Sequence, residues 1–379
     1  MLNWPQLSIL IITLLTSIYS FADLDSDGDG FSDAKEISLG LNPYKNEFNE
    51  VPLSIIDILP TGGKLSFKSP DGRHIYFNGA AEMYDINQDS GLLENSRPTG
   101  AKAKSKFSVI SPDGKHVYTT DSFNENYLNK YLRNIDTGEL TLLTTFRNVG
   151  DINMLNIGPK GYIWFTTYSF GTTSLTKAIL SDDGEITLEA MGSFPNAITH
   201  ISFDIDDKYY LPQGNNVDWN TNAILYMNGN NIESKISSSQ YIFRLVENFS
   251  LQKERFYVIA GPTASSFYLS LLNNNVVEFN STTQPKTYVG KQSVINLLSD
   301  NSSRLIYALT INSVKAYRMF DPESGVISDA PKFFGEISLL DSRGGMGFTK
   351  HQDKLYVFSA DKIYIINAGQ AGIHPPICN

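Results

Sequence analysis

Between Asp23 and Glu36 the chain reads DLDSDGDGFSDAKE, six carboxylates against one base, Lys35. That much like charge in so short a space repels itself unless a cation sits among it. With Asp25 as the first position, Asp27 is third, Asp29 fifth, Gly30 sixth, Phe31 seventh, Asp33 ninth and Glu36 twelfth, which is the spacing of an EF-hand-type calcium loop. Calcium is a hard cation that takes about six to eight oxygens at roughly 2.3–2.6 Å. Alternating aspartates supply them from a turning backbone, and Gly30 permits the sharp turn. Phe31 offers its backbone carbonyl, and Glu36 closes the shell with both oxygens. The expected ligands of a Ca2+ ion are therefore Asp25, Asp27, Asp29, Phe31, Asp33 and Glu36. Starting the loop at Asp23 would place Ala34 twelfth, where no side-chain oxygen exists. A solvated acidic linker would need no glycine at the sixth position and no glutamate at the twelfth. Without the ion the five carboxylates among these ligands would repel, so metal binding and local folding are expected as one event.

The residues after the loop, DAKEISLGLNP, predict a short helix. Ile37 and Leu41 lie four apart on one face, Gly40 terminates it, and Pro43 stops continuation. Residues 23–46 thus form one loop-and-helix unit. The stretch resembles thrombospondin type 3 repeats and related calcium loops of secreted bacterial proteins. The resemblance implies calcium binding and leaves any larger function open.

Residues 1–22, MLNWPQLSILIITLLTSIYSFA, carry no charged side chain and hold an apolar run from Leu7 to Ile18. Ser20-Phe21-Ala22 fits a secretory cleavage site, and the run is short of the ~20 residues of a spanning helix. A signal peptide, secretion to the periplasm, cell surface or extracellular medium, and no membrane span after cleavage are expected. The net charge is −10 over 379 residues. Nothing in it makes the basic patch that nucleic acid would require. The single cysteine, Cys378, cannot form an internal disulfide.

The rest of the chain repeats. SPDGRHIYF at 69–77 and SPDGKHVYT at 111–119 are each a tight turn followed by a β-rich run. Anchored on the aromatic residue of that run, the pattern recurs at Tyr76, Tyr118, Trp164, Tyr210, Tyr257, Tyr307 and Tyr356, with spacings of 42, 46, 46, 47, 50 and 49. Units of this length, all-β and bounded by hairpin signals such as DINQDSGLL and NIDTGELTLL, predict an all-β, seven-bladed β-propeller over residues 51–379 with four strands per blade. The last repeat lacks a fourth strand, and Val51–Leu59 offers a spare one. Pairing the two closes the ring and removes an open edge. The Ser-Pro-Asp-Gly turns and the HIYF and HVYTTD runs resemble the lactonase-like propeller family, which includes bacterial 6-phosphogluconolactonases. The resemblance implies the fold, and it brings a lactone hydrolase into view as an activity.

No catalytic set stands out. His74 and His116 hold the same place in two repeats, so they are expected to serve the repeat. The aromatic anchors are expected to pack between blades. A ligand site would sit where second-to-third-strand loops crowd the channel, at Thr119–Asn126 or at Pro212–Asn222, which carries Asp218 and Trp219. Three functional readings follow. One is a secreted calcium-binding recognition or scaffold module with a protein, glycan or small-molecule partner at the propeller face. The second is a lactonase-like hydrolase, and in the third the calcium is purely structural.

Overall fold

In the computed structural model, the described residues are Ser26 and most of 51–371. Residues 1–25, 27–50 and 372–379 lie outside the description, as do 121–126, 181–185, 204–207, 215–221, 248–254, 274–277, 280–286, 321–326, 340–346 and a few shorter stretches. The described elements are strands. The first in the chain, β1 (Ser54–Pro60), belongs to the last sheet. The first sheet is β2 (Leu65–Lys68), β3 (His74–Phe77), β4 (Glu82–Ile86) and β5 (Leu93–Pro98). The second is β6 (Ser108–Ile110), β7 (His116–Thr120), β8 (Leu128–Arg133) and β9 (Leu140–Phe146). The third is β10 (Ile152–Ile157), β11 (Ile163–Ser169), β12 (Thr172–Leu180) and β13 (Ile186–Phe194).

The pattern then breaks. β14 (Ala197–Ile198) and β15 (Ser202–Phe203) both pair with β16 (Tyr209–Gly214), which leads to β17 (Asn222–Asn228) and β18 (Asn231–Ser238). Regularity returns with β19 (Tyr241–Glu247), β20 (Arg255–Thr263) and β21 (Ser266–Asn273). The two-residue β22 (Glu278–Phe279) leaves that sheet to pair in parallel with β18, and β23 (Thr287–Gly290) completes four strands. Next come β24 (Val294–Asp300), β25 (Leu305–Thr310), β26 (Ser313–Phe320) and β27 (Ile327–Ser338). The last sheet is β28 (Gly347–His351), β29 (Lys354–Phe358), β30 (Lys362–Asn367) and the N-terminal β1.

The protein is an all-β propeller of four-stranded blades. The expectation of seven such blades is corrected: six four-stranded blades are described, and the sheet of β14–β18 with β22 has six strands in an irregular order. Ring closure follows the expected exchange, with β1 antiparallel to β30. Its bounds shift, however: the ladder runs Ser54–Pro60, and Val51 makes only an isolated bridge to Gln370. As an edge strand β1 tolerates the nearby Pro52 and its own Pro60.

Inner strands β2, β6 and β10 lie side by side, and β28 meets β2 at the closure. Sheets bury both faces against their neighbours, so the second strands read as apolar runs rather than alternating ones. HIYF of β3 and LIYALT of β25 are buried throughout. The core therefore lies in the seams. Tyr76 and Met83 of the first sheet pack with Val117 and Tyr131 of the second. Ile75 and Phe77 pack with Phe358, Ile363 and Ile365 of the last. Burying each such side chain contributes about 1.5–3 kcal/mol.

Candidate functional site

Two concentrations of polar chemistry occupy opposite ends of the seam between the first two blades. One is built on the Ser-Pro-Asp-Gly turns. Gly72 N–H donates to the Ser69 carbonyl at 2.9 Å with φ of 70°, and Gly114 N–H donates to the Ser111 carbonyl at 2.8 Å with φ of 71°. Only glycine takes that backbone without strain. Each turn's aspartate accepts from a backbone amide, Arg73 N–H to Asp71 and Lys115 N–H to Asp113.

Arg133, the last residue of β8, reaches across to this turn of the first blade. Its side chain is 0% exposed. Nη2 lies 2.9 Å from Asp71 Oδ2 and 2.7 Å from His74 Nδ1, Nε donates to the Tyr76 hydroxyl at 2.9 Å, and Nη1 donates to the Gly114 carbonyl at 3.1 Å. The Tyr76 hydroxyl in turn donates to the Gly138 carbonyl at 2.6 Å. Arg97 forks onto Asp85 at 2.6 and 2.8 Å, and His74 Nε2 lies 3.5 Å from Asp85. Burial, with the Arg133 charge beside it, lowers the His74 imidazole to about 4, so the ring is neutral at physiological pH. Burial alone would raise Asp71. The hydrogen bonds from Ser69, the Arg73 amide and Arg133 outweigh it and hold the carboxyl below its ordinary range. The Tyr76 hydroxyl is pushed up by burial to about 12.

This cluster ties blades together. The anchor hydroxyls show the same use elsewhere: Tyr356 donates to the Gly91 carbonyl at 2.8 Å and Tyr307 to the Ala368 carbonyl at 2.8 Å, each across a seam onto the next sheet. The expectation that the anchors pack between blades holds at these seams. At the irregular sheet two adjacent tyrosines share the second strand, and both are buried. Tyr210 stacks on Tyr226 with centroids 4.7 Å apart, while its neighbour Tyr209 donates to the Gly229 carbonyl at 2.6 Å within its own sheet. His74 serves the repeat, as expected. His116 is half-buried, with its ring 6.5 Å from that of Tyr118.

The other end of the seam is open. A cavity of about 520 Å³ lies where the starts of β2 and β6 meet the β3–β4 turn. That turn is unusual: Asn78, Gly79 and Ala80 have φ of 54°, 70° and 67° in succession. Left-handed backbone is disfavoured for alanine and persists where surrounding contacts fix it. Here the Asn78 N–H donates to the Lys64 carbonyl at 2.8 Å, the Ala80 N–H donates to Ser66 Oγ at 3.0 Å, and Thr99 Oγ1 donates to the Ala80 carbonyl at 2.6 Å. Gly79 lies so close to Ser105 that an added Cβ would come 2.7 Å from its backbone. Lys64, Lys106 and Glu82 line the cavity with the hydroxyls of Ser66, Ser105 and Ser108. Leu65, Phe107 and Leu155 give it an apolar wall.

The cavity is on the face where second-to-third-strand loops were expected to gather, but on a different loop. Of Thr119–Asn126, Thr119 and Thr120 end β7 and are buried, and 121–126 lie outside the described residues. Asp218 and Trp219 of the second loop also lie outside them. So do the expected calcium ligands Asp25, Asp27, Asp29, Phe31, Asp33 and Glu36, and the helix after them. Among the described residues no group of three or more His, Cys, Asp or Glu side chains gathers to hold a metal, and no helix is long and apolar enough to cross a membrane. The pocket residues escaped the sequence reading. The Asn-Gly pair in FNGAAEM was the one local signal, and it marks a turn rather than a site.

No protein-family model matches the sequence, and no curated protein matches it. Similarity appears at the level of fold. The virginiamycin B lyase of Staphylococcus aureus superposes with a TM-score of 0.51 at 14% identity over 83% of this chain and 99% of that one. A putative 6-phosphogluconolactonase from Bacteroides uniformis gives 0.52 at 17% identity over 78% and 89%. The Dos1 propeller gives 0.52 at 13% identity over 85% and 97%. At these identities the likeness shows a β-propeller, a fold that hosts lyases, lactonase-like enzymes and binding scaffolds alike.

Proposed function

We propose that the protein is a secreted, calcium-binding β-propeller that acts as a recognition module, holding its ligand at the face that bears the cavity. The observation that carries this reading is the contrast along one seam. The charges at the turn end are consumed in joining blades, whereas Lys64, Lys106 and the serine hydroxyls at the other end line a cavity of the size small ligands use, roughly 300–1,000 Å³. The calcium part rests on the ligand spacing from Asp25 to Glu36. A narrower role for the ion, stapling the N-terminal segment to the ring, is favoured by β1, which closes the last blade and is the first described strand after the loop in the chain.

Calorimetric titration of calcium into the chain beginning at Asp23, beside an Asp25→Ala, Asp29→Ala double variant, tests the metal. Binding at one site in the range of about 10⁻⁴–10⁻³ M, abolished in the variant, is the expected result. Absence of heat in both proteins reduces the acidic stretch to a linker. Turnover of a lactone at enzymatic rates, lost on substituting a cavity residue, would replace recognition with hydrolysis.

A further inference from the structure

We infer that the cavity at the mouth of the first seam binds a small apolar carboxylate, a molecule with one anionic end and a hydrocarbon or aromatic body. The inference rests on the recognition reading above and adds the chemistry of the ligand.

Charge sets the sign. Two lysines and one glutamate line the cavity, a net positive place on a chain whose total charge is −10. The glutamate is already engaged, since Asn78 Nδ2 donates to Glu82 Oε1 at 3.0 Å. The lysines are loosely held. Among the described residues Lys106 Nζ has long contacts only, 3.5 Å to the Ile152 carbonyl and 3.4 Å to Asn153 Oδ1, and lies 5.2 Å from the centre of the Phe107 ring. The Lys64 ammonium makes no hydrogen bond or ion pair among the described residues. A cationic ligand would meet two like charges against a single engaged carboxylate.

The neutral groups agree. The Gly79 amide and the Ser105 and Ser108 hydroxyls have no protein partner among the described residues, and the Ser66 hydroxyl, which accepts from Ala80, keeps its own proton to give. Each of these groups can turn a proton toward the ligand, and with the two ammonium groups that suits an oxyanion. The wall decides the rest of the molecule. Leu65, Phe107 and Leu155 present hydrocarbon to the cavity. Phe107 and Leu155 are anchored in the core of the next seam, so this surface is preformed. A densely hydroxylated ligand would lose its water against that wall without replacement hydrogen bonds. A carboxylate on an apolar body uses both halves.

The test is titration of 3-phenylpropanoate, 3-phenylpropanamide and 3-phenylpropylamine into the full mature chain, with Lys64→Gln and Lys106→Gln variants alongside. The acid is expected to bind, the amide to bind about tenfold more weakly, and the amine not to bind. Each lysine substitution weakens the acid about fivefold, the size of a partly exposed charge interaction, while leaving the melting temperature in place. If the amide binds as tightly as the acid, or neither lysine substitution changes acid binding, the inference is overturned and the cavity stands as a recognition site of other chemistry. If none of the three binds at millimolar concentration, both the inference and the cavity as recognition surface fall.

Discussion

At the turn end of the first seam, the buried Arg133 meets His74 and Tyr76 out of water and Asp71 at the edge of solvent. At the other end of the same strand, β3, Lys64 and Lys106 line a cavity in which Glu82 is the sole lining carboxylate. The residue types are similar and the outcomes opposite. Burial forces the first set to satisfy one another, because an unpaired buried charge costs several kcal/mol. The second set stays near water, needs no partner to fold, and is therefore available to a ligand. In a propeller the distinction has a structural origin. At the seams where Tyr76, Tyr307 and Tyr356 lie, the turn end grips the next sheet, and the second-to-third-strand end of the first seam lines the cavity instead.

Breaking the grip should give the largest effect. Arg133→Met leaves the Tyr76 hydroxyl without its donor and Asp71 with only its Ser69 and Arg73 donors, and a loss of about 3 kcal/mol in denaturant unfolding is expected. Gly138→Ala comes next. Its φ is +74°, and an added Cβ would fall 2.6 Å from Met83 Sδ and 2.7 Å from His74 Cδ2. Strain and overpacking together should cost about 2 kcal/mol. Tyr356→Phe, which leaves the Gly91 carbonyl unpaired at the closing seam, should cost about 1–2 kcal/mol. At the cavity, Lys64→Gln should change stability by less than about 0.5 kcal/mol.

Acid offers a further separation of the two ends. His74 is held near 4 in the folded protein, against about 6.5 when unfolded. The unfolded chain therefore takes up a proton that the folded chain refuses. The stability contributed by the neutral ring is complete above pH ~6.5 and is lost as pH falls toward 4. Asp71 and Asp85, both held below the ordinary carboxylate range, act in the same direction at lower pH, their contribution being lost as they protonate. A denaturation midpoint that falls between pH 6.5 and 4 in the parent protein, with a shallower fall in His74→Gln, is the expected result.

The fold was legible in the sequence because its signals repeat. Two Ser-Pro-Asp-Gly turns and a row of spaced aromatics marked the second strand of blade after blade, and the surplus strand before the first repeat found its place beside β30. The irregular sheet was not legible, for a local reason. Tyr209 and Tyr210 are adjacent, both are buried, and a one-residue change of register exchanges the faces they occupy. The cavity was hidden by its composition. Its residues come from the starts of β2 and β6, the turn between β3 and β4, and Leu155 of β10, brought together by ring geometry. Single lysines and serines carry no spacing signal of the kind that six acids in a loop carry.

The most direct test of the contrast is one set of urea melts, read beside ligand binding, for the parent chain, Arg133→Met and the Lys64→Gln, Lys106→Gln double variant. The account predicts that Arg133→Met lowers the midpoint sharply, and that the lysine pair keeps the parent midpoint while losing binding of the carboxylate probe. A double lysine variant that unfolds as early as Arg133→Met, or an Arg133→Met protein as stable as the parent, would contradict it.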